Sequence, residues 1–205
     1  MKKQLLFVFA LLTCSAISAQ VYMSENFDGA GTALPAGWSV TTADATSDGW
    51  LRDIAGNLAS NAWGYPDNGT KIMSTNDDGC NCNKSADRLI FPSVDLSAGT
   101  APFLVFDQYY FNQTYQSLTE TAFVEVSTNG GTTWTQLQEI PGNSVNGWQT
   151  VAFSLAAYAG QSNVSVSVIY DDAGGWLYGL GIDNASIQEQ PSGLNIAVSG
   201  FTAAP

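Results

Sequence analysis

Carboxylates are the side chains of this sequence that could carry chemistry. The 205 residues include 18 aspartates and glutamates, 6 lysines and arginines, and no histidine. The missing histidine excludes Ser-His-Asp and Cys-His nucleophile systems, HExxH zinc sites and any imidazole that titrates near neutral pH. Carboxylates alone could serve a glycoside hydrolase or bind a hard cation such as calcium. The sequence indicates no particular pair of acids for hydrolysis.

Acids at the edges of predicted strands are candidate calcium ligands. Calcium takes about six to eight oxygen ligands, several of them carboxylates. The first candidate site comprises Glu25, Asp28 and Asp183. A second candidate cluster near the cysteines comprises Asp77, Asp78 and Asp87. The alternative for most of the 18 acids is a scattered, solvated surface.

Asp107 lies inside an apolar run, Phe103 to Phe111. A carboxylate in such a strand needs a partner, because burying an unpaired charge is costly. The sequence offers Arg88 or a metal ion and does not choose between them.

Cys80 and Cys82 are open to three interpretations. They could form a disulfide across one residue, which is geometrically tight, or remain free thiols. A metal site is less favoured, because no histidine and no further nearby cysteine can complete four ligands.

Two loops are rich in aromatic residues flanked by Gly, Asp, Asn and Pro, at 61–69 and 171–178. Their rings are Trp63, Tyr65, Trp176 and Tyr178. Rings among polar side chains suit a sugar-binding surface, where ring faces stack on sugars and polar groups bond to hydroxyls. The alternative is that these rings close the open ends of the fold.

The elements that must position these residues begin after an export signal. Residues 1–19 show a basic start, an apolar run over Leu5 to Leu12 and small residues up to Ala19, which predicts cleavage there. The remaining chain keeps four basic residues against 18 acids, a formal net charge of −14. Such a surface repels nucleic acid and anionic membranes, and no second apolar stretch predicts membrane insertion.

The mature sequence shows a two-residue hydrophobic period. Val164, Val166 and Val168 alternate with polar residues, which predicts a half-buried strand with one mainly polar face. We predict further strands at Ser24–Phe27, Trp38–Thr42, Gly49–Arg52, Lys71–Thr75, Arg88–Phe91, Phe103–Phe111, Ala122–Ser127, Thr133–Ile140, Thr150–Leu155 and Leu177–Ile187. About ten antiparallel strands without long helices predict an all-β jelly-roll sandwich over residues 20–189. Residues 190–205 are predicted to be a linker or the start of a following segment.

The string Ser127 to Trp134 predicts a hairpin. Asn129-Gly130 is a turn pair in which both residues would adopt positive φ. The string resembles the Asp-box of sialidases, in which the polar residue orders the hairpin and the Trp packs beneath it. A structural role explains every residue of this turn.

The ordered set of motifs resembles a known domain family. The motifs are Glu25-Asn26-Phe27-Asp28-Gly29, Leu34-Pro35-Ala36-Gly37-Trp38, Asp48-Gly49-Trp50, Leu89 to Ser97, and Gly181 to Ile187. Over about residues 21–189 the chain resembles the cleaved-adhesin and choice-of-anchor J domains of secreted Bacteroidetes proteins, relatives of MAM domains. The resemblance implies a galactose-binding or MAM-like jelly roll, type IX export, no catalytic site, and calcium where the first and last strands meet. It adds Asp44 and Asp48 to the calcium residues.

These observations predict a secreted or cell-surface module, stabilised by calcium, that binds carbohydrate or an extracellular protein without catalysis. The alternatives are an accessory domain of a larger secreted hydrolase or peptidase, a carboxylate-based glycoside hydrolase, and a structural spacer.

Overall fold

The computed structural model describes residues 20–142 and 147–190. The predicted signal segment and nearly all of the predicted linker lie outside the described residues. The strands are β1 Val21–Glu25, β2 Ser39–Thr41, β3 Leu51–Ile54, β4 Lys71–Asn76, β5 Asp87–Ile90, β6 Pro102–Tyr110, β7 Thr121–Ser127, β8 Thr135–Glu139, β9 Gln149–Ser154, β10 Ser165–Asp171 and β11 Gly179–Glu189. The helices are single turns: α1 Ala55–Leu58, α2 Asp77–Cys80 and a 3₁₀ turn at Ala156–Tyr158.

The strands form two antiparallel sheets, which confirms the predicted all-β sandwich. One sheet has the order β3-β4-β11-β6-β9, and β1 pairs with the half of β11 that β4 leaves free. The other sheet has the order β2-β5-β10-β7-β8. Each sheet is thus centred on a late strand, β11 or β10, which brings loops from distant parts of the sequence to the same end of the sandwich.

The space between the sheets is filled by aromatic and branched side chains. Trp38 packs between Phe27 and Phe91, with ring centroids 5.1 Å and 4.3 Å away. Each such side chain contributes about 1.5 to 3 kcal/mol by leaving water. The strands therefore hold their positions through one continuous core.

The outer face of β10 differs from the prediction. The alternation predicts a mainly polar face open to solvent, yet Ser165 and Ser167 are both buried. The reason lies on the neighbouring strands, where Arg88 Nε donates to Glu125 Oε2 at 2.8 Å and the guanidinium stacks over Trp134. Ser167 also donates to Glu125, at 3.3 Å. An ion pair and a ring thus cover this face.

A second hydrophobic cluster lies on the outer face of the six-stranded sheet. Ile72 and Tyr109 alternate with core residues along β4 and β6 and so point away from the main core. Tyr65 covers them, with Trp63 and Trp148 partly buried against the cluster. We call these five residues the outer aromatic cluster; it fixes the loop before β4 onto the sheet.

The β7–β8 hairpin has the predicted structural role, with one difference in register. The side chain of Asn129 accepts the Thr133 amide at 3.0 Å and donates to its hydroxyl at 2.8 Å. Positive φ occurs at Gly130 and Gly131, not at Asn129 and Gly130. A second glycine follows, so left-handed backbone falls where no Cβ opposes it.

In the described part of the chain, no helix has the length and apolar character needed to span a bilayer.

Candidate ligand-binding site

A cavity of about 170 Å³ opens at one end of the sandwich. It lies where β4, β6 and β10 end and where β7 and β11 begin. The residues around it are Ala62, Trp63, Asp78, Tyr115, Trp176, Leu177 and Tyr178. Four separate stretches of sequence therefore bring aromatic rings and one carboxylate together.

Trp63 is held by the loop that precedes β4. The hydroxyl of Ser60 accepts the Trp63 amide at 2.8 Å, and the Ser60 amide donates to the Trp63 carbonyl at the same distance. The indole meets the Tyr65 ring edge-on at 4.8 Å, and the Tyr65 hydroxyl donates to the Thr75 carbonyl at 2.9 Å. The ring is thus positioned before any ligand arrives.

Trp176 and Tyr178 differ in how far they are fixed. Trp176 is 66% exposed, the largest exposed fraction among the large hydrophobic residues described. Tyr178 packs edge-on against Phe111 at 4.9 Å and lies 5.8 Å from Trp63. One ring of the cavity is therefore free to cover a ligand, and the other belongs to its wall.

Three buried carboxylates hold the loop that carries Trp176 and Tyr178. Asp172 accepts the Gly174 amide at 2.8 Å, and Asp77 accepts the Leu177 amide at 2.5 Å. Glu120 accepts the amides of Tyr178 and Gly179 at 3.1 Å and 2.9 Å. A loop without regular secondary structure is thereby fixed by four hydrogen bonds from backbone amides to these three side chains.

Two of these carboxylates titrate far from their usual range. Burial raises the pKa of Asp77 to about 7, and the neighbouring Asp172 carboxylate adds to the effect. Burial likewise raises the pKa of Glu120 to about 7, against hydrogen bonds from Tyr170 and backbone amides. Neither residue lines the cavity, so these groups fix the loop rather than face a ligand.

A short hairpin after β6 completes the wall. Tyr115 and Leu118 exchange backbone hydrogen bonds at 2.9 Å. A Cβ built on Gly175 would stand 2.5 Å from the Leu118 side chain, so the hairpin and the β10–β11 loop touch there. Tyr115 is 44% exposed at the rim of the cavity.

The structure brings three of the four predicted ligand-binding rings together. Trp63, Trp176 and Tyr178 line the same cavity, whereas Tyr65 is buried in the outer aromatic cluster beneath it. Sequence reasoning missed Tyr115 and the anchoring role of Glu120. No local pattern marks either residue, because Glu120 bonds to the start of β11, about 60 residues away, and the Tyr115–Leu118 hairpin reaches the cavity by touching the β10–β11 loop at Gly175.

The predicted calcium residues lie in two places. Asp183 is buried beside a bulge in β11, where the register with β6 shifts after it. It accepts hydrogen bonds from Asn68 at 2.7 Å and Thr70 at 2.8 Å. Burial raises its pKa, and so does nearby Asp28. Glu25 lines a groove between β1 and this bulge.

Asp44 and Asp48 lie in the loop before β3. Asp44 accepts the Thr46 amide and hydroxyl, and Asp48 forms an ion pair with the buried Lys84. Among the described residues, no three of the five predicted metal residues come within 4.8 Å of one another.

The three acids of the second predicted cluster, Asp77, Asp78 and Asp87, do not face one common site. Asp87 is buried with one carboxylate oxygen 3.7 Å from Lys84, and Asp77 is buried nearby. Asp78, by contrast, faces the aromatic cavity.

Cys80 and Cys82 are joined by a disulfide, with their Cα atoms 5.2 Å apart. Asp48 lies within 4.8 Å of both sulfurs. Sulfurs in a disulfide are not the thiolates that bind metals, so this group does not form a cysteine metal site.

The partner predicted for Asp107 was wrong as far as Arg88 is concerned. Asp107 accepts hydrogen bonds from the Thr150 hydroxyl at 2.5 Å and the Asn184 amide group at 2.9 Å. Arg88 lies in the other sheet and pairs with Glu125. Asp107 is only partly buried, so neutral donors suffice.

Comparison with known proteins identifies the fold. No family model matches the sequence, and no curated protein matches it significantly. The K3 cleaved adhesin domain of Lys-gingipain from Porphyromonas gingivalis is similar, with 16% identity, a TM-score of 0.60, and coverage of 84% of this chain and all of that domain. The K1 domain gives 18% identity, a TM-score of 0.58, and coverage of 83% and 99%.

A cyclase from Fischerella sp. TAU is also similar, at 14% identity and a TM-score of 0.53, with coverage of 85% of this chain and 98% of the cyclase. At such identities, similarity reports architecture and not activity. The chain therefore has the β-sandwich fold of the cleaved adhesin domains of Lys-gingipain.

Proposed function

We propose that this chain is a secreted or cell-surface module that binds carbohydrate, without catalysis, in the cavity between Trp63 and Trp176. The observation that carries the proposal is the convergence of Trp63, Trp176 and Tyr178 on one cavity beside Asp78. Sugars present apolar C–H faces to rings and hydroxyls to polar groups, and this cavity offers both surfaces.

The exposure of Trp176 supports a binding role over a purely packing role. A ring that closes the end of a sandwich would be buried, but 66% of this residue is exposed, at the mouth of a preformed cavity. Its loop is fixed by Asp77, Asp172 and Glu120, so little ordering is needed when a ligand binds. The adhesin domains that share the fold, and the predicted export signal, agree with an extracellular binding role.

A hydrolase is less well supported. Asp77 and Glu120 have pKa values suited to acid catalysis, yet both accept hydrogen bonds from backbone amides and neither lines the cavity. A glycosidase needs two carboxylates flanking one bond. Asp78 is the one carboxylate among the described residues around this cavity.

The proposal includes a calcium ion between the first and last strands. The carboxylates of Asp28, Asp183 and Glu25 and the hydroxyl of Thr70 are oxygen ligands of the kind calcium prefers. Asp183 is 1% exposed, and its hydrogen-bond donors are neutral. A bound cation would supply the positive charge that the neutral donors of Asp183 do not provide. It would also link β1 to β11. Asp44 bonds to Thr46 and Asp48 pairs with Lys84, so we do not include them in the proposed site.

A glycan array and a hydrolysis assay on the same purified protein test the function. We expect retention on a subset of glycans, loss of that retention in Tyr115→Ala, and no released reducing sugar. Release of sugar would support the hydrolase instead. Retention on no glycan, together with binding to extracellular proteins, would replace carbohydrate by protein as the ligand.

A further inference from the structure

The lysines and arginines of the described chain are all committed to partners within it. Lys84 pairs with Asp48 and Asp87, and Arg88 pairs with Glu125. The two others bond to backbone carbonyls of the loop after β1: Arg52 to Phe27, Gly29 and Ala33, and Lys71 to Gly29 and Gly31. No side-chain cation in this part of the protein is left for another carboxylate.

Asp78 is one of the carboxylates left without a cation, and it faces the aromatic cavity. Its Oδ2 accepts the Ser60 hydroxyl. Its Oδ1 accepts no hydrogen bond from any residue that the structure describes. A carboxylate oxygen is therefore available at the wall of a cavity whose other walls are mainly rings.

Rings around a carboxylate favour a positively charged guest. The faces of Trp and Tyr attract ammonium groups, and the attraction strengthens where water is displaced. The excess of 18 acids over four basic residues in the mature chain also attracts cations and repels acidic sugars over longer distances. A neutral sugar would gain nothing from either effect.

The size of the cavity limits what can enter. Drug-sized ligands need about 300 Å³ or more, whereas this cavity has about 170 Å³. A single sugar ring or a group of similar size fits that space better than a chain segment. The site is therefore suited to one residue of a glycan.

We propose that the cavity selects a glycan residue that carries a free, protonated amine, with Asp78 as the acceptor and Trp63 and Trp176 as the stacking rings. The inference rests on the proposed carbohydrate-binding function and names its substrate class: amino sugars without N-acetylation.

Calorimetry with two matched probes tests the selection. The probes are the tetrasaccharides of β-1,4-linked glucosamine and of β-1,4-linked N-acetylglucosamine, at pH 6 and low salt, with the mature chain. We expect the glucosamine probe to bind at least tenfold more tightly, and its affinity to fall severalfold in 0.5 M salt as charges are screened. Asp78→Asn, which keeps the size and a hydrogen-bond acceptor, should reduce the preference to within about twofold.

The control is Asp95→Asn, which removes one exposed charge near Tyr22, whose hydroxyl bonds to Glu189 at the far end of β11 from the cavity. It should leave the preference unchanged. Equal binding of the two probes, or a preference that survives in Asp78→Asn, would overturn the selection. If Trp176→Ala still lowers the affinity for both probes, the cavity remains the carbohydrate site even though it does not select amines. If neither probe binds but the protein still binds glycans on the array, the proposed selection for amines is wrong and the carbohydrate-binding function stands.

Discussion

Gly181 lies directly beneath the ring of Tyr65. A Cβ built on Gly181 would stand 2.8 Å from Cδ1 of Tyr65 and 3.0 Å from Cη2 of Trp148. On the central strand of the sheet, the absence of a side chain lets Tyr65 and Trp148 of the outer aromatic cluster approach the backbone closely. Because Trp63 packs against Tyr65 within this cluster, the glycine helps to set the position of the cavity.

Gly181→Ala should therefore destabilise the fold by about 1 to 3 kcal/mol, the range expected when a packed site is overfilled. Chemical denaturation measures the change. Gly56→Ala is the matched control, since a Cβ there meets no atom within 4 Å and Gly56 lies in α1. That substitution should be neutral or slightly stabilising. If both variants change the free energy of unfolding equally, then Tyr65 and Trp148 move aside for the new methyl group without loss of stability.

Asp77 should make the protein less stable as the pH rises from about 4 to about 7. Its pKa is about 7 in the folded chain and 3.8 in the reference state, so the unfolded chain ionises first across that window. Glu120 acts in the same direction. Asp77→Asn should leave stability at pH 4 nearly unchanged and raise it at pH 8 by about 1 to 3 kcal/mol.

Denaturant titrations of wild type and variant at pH 4, 6 and 8 measure this difference. Asp67→Asn, at an exposed position in the loop before β4, serves as the control and should leave the slope with pH unaltered. The prediction is contradicted if Asp77→Asn is less stable than the wild type at pH 8. The hydrogen bond from the Leu177 amide to the charged Asp77 would then stabilise the fold by more than the burial of that charge costs.

The strands were predictable because each depends on its own alternation. Val164, Val166 and Val168 face the core as their spacing requires. What covers their other face was not predictable, since the pairing of Arg88 with Glu125 joins strands far apart in sequence. The same distinction holds at the cavity. Rings in Gly-rich loops are visible as an unusual composition, but the carboxylate that anchors them, Glu120, looks like any other acid between two threonines.

Gly130→Val should destabilise the fold by about 1 to 3 kcal/mol, because φ is +70° there and a β-branched residue is strained in that region. No atom lies within 4 Å of a Cβ at this position, so the loss would come from the backbone alone. Gly130→Asn is the control and should cost less, since Asn tolerates left-handed backbone. Thermal melts and glycan retention are the measurements. A binding loss without a stability loss would make this hairpin part of the functional site.

Calcium should raise the melting temperature, and a chelator should lower it. A ligand that binds only the folded chain stabilises it by about 2.7 kcal/mol at a hundredfold excess over Kd. Asp183→Asn should remove the dependence on calcium, whereas Asp44→Asn should keep it, because Asp44 bonds to Thr46 and Asn83 in another loop. An identical melting temperature with calcium and with chelator would leave Asp183 as a purely hydrogen-bonded group.

Substitutions of Trp63 and Trp176 should affect stability differently, although both should weaken glycan binding. Trp63 packs against Tyr65, Tyr109 and Tyr178, so Trp63→Ala should cost about 3 kcal/mol of stability as well as binding. Trp176 is 66% exposed, so Trp176→Ala should change stability by no more than about 0.5 kcal/mol. If the ring stacks on a sugar, the same variant should weaken glycan binding at least tenfold, about 1.4 kcal/mol. Ile54→Ala removes another exposed apolar side chain, 47% exposed, from the edge strand β3 and should change neither quantity. Unaltered glycan affinity in Trp176→Ala, at unaltered stability, would place the binding surface outside this cavity.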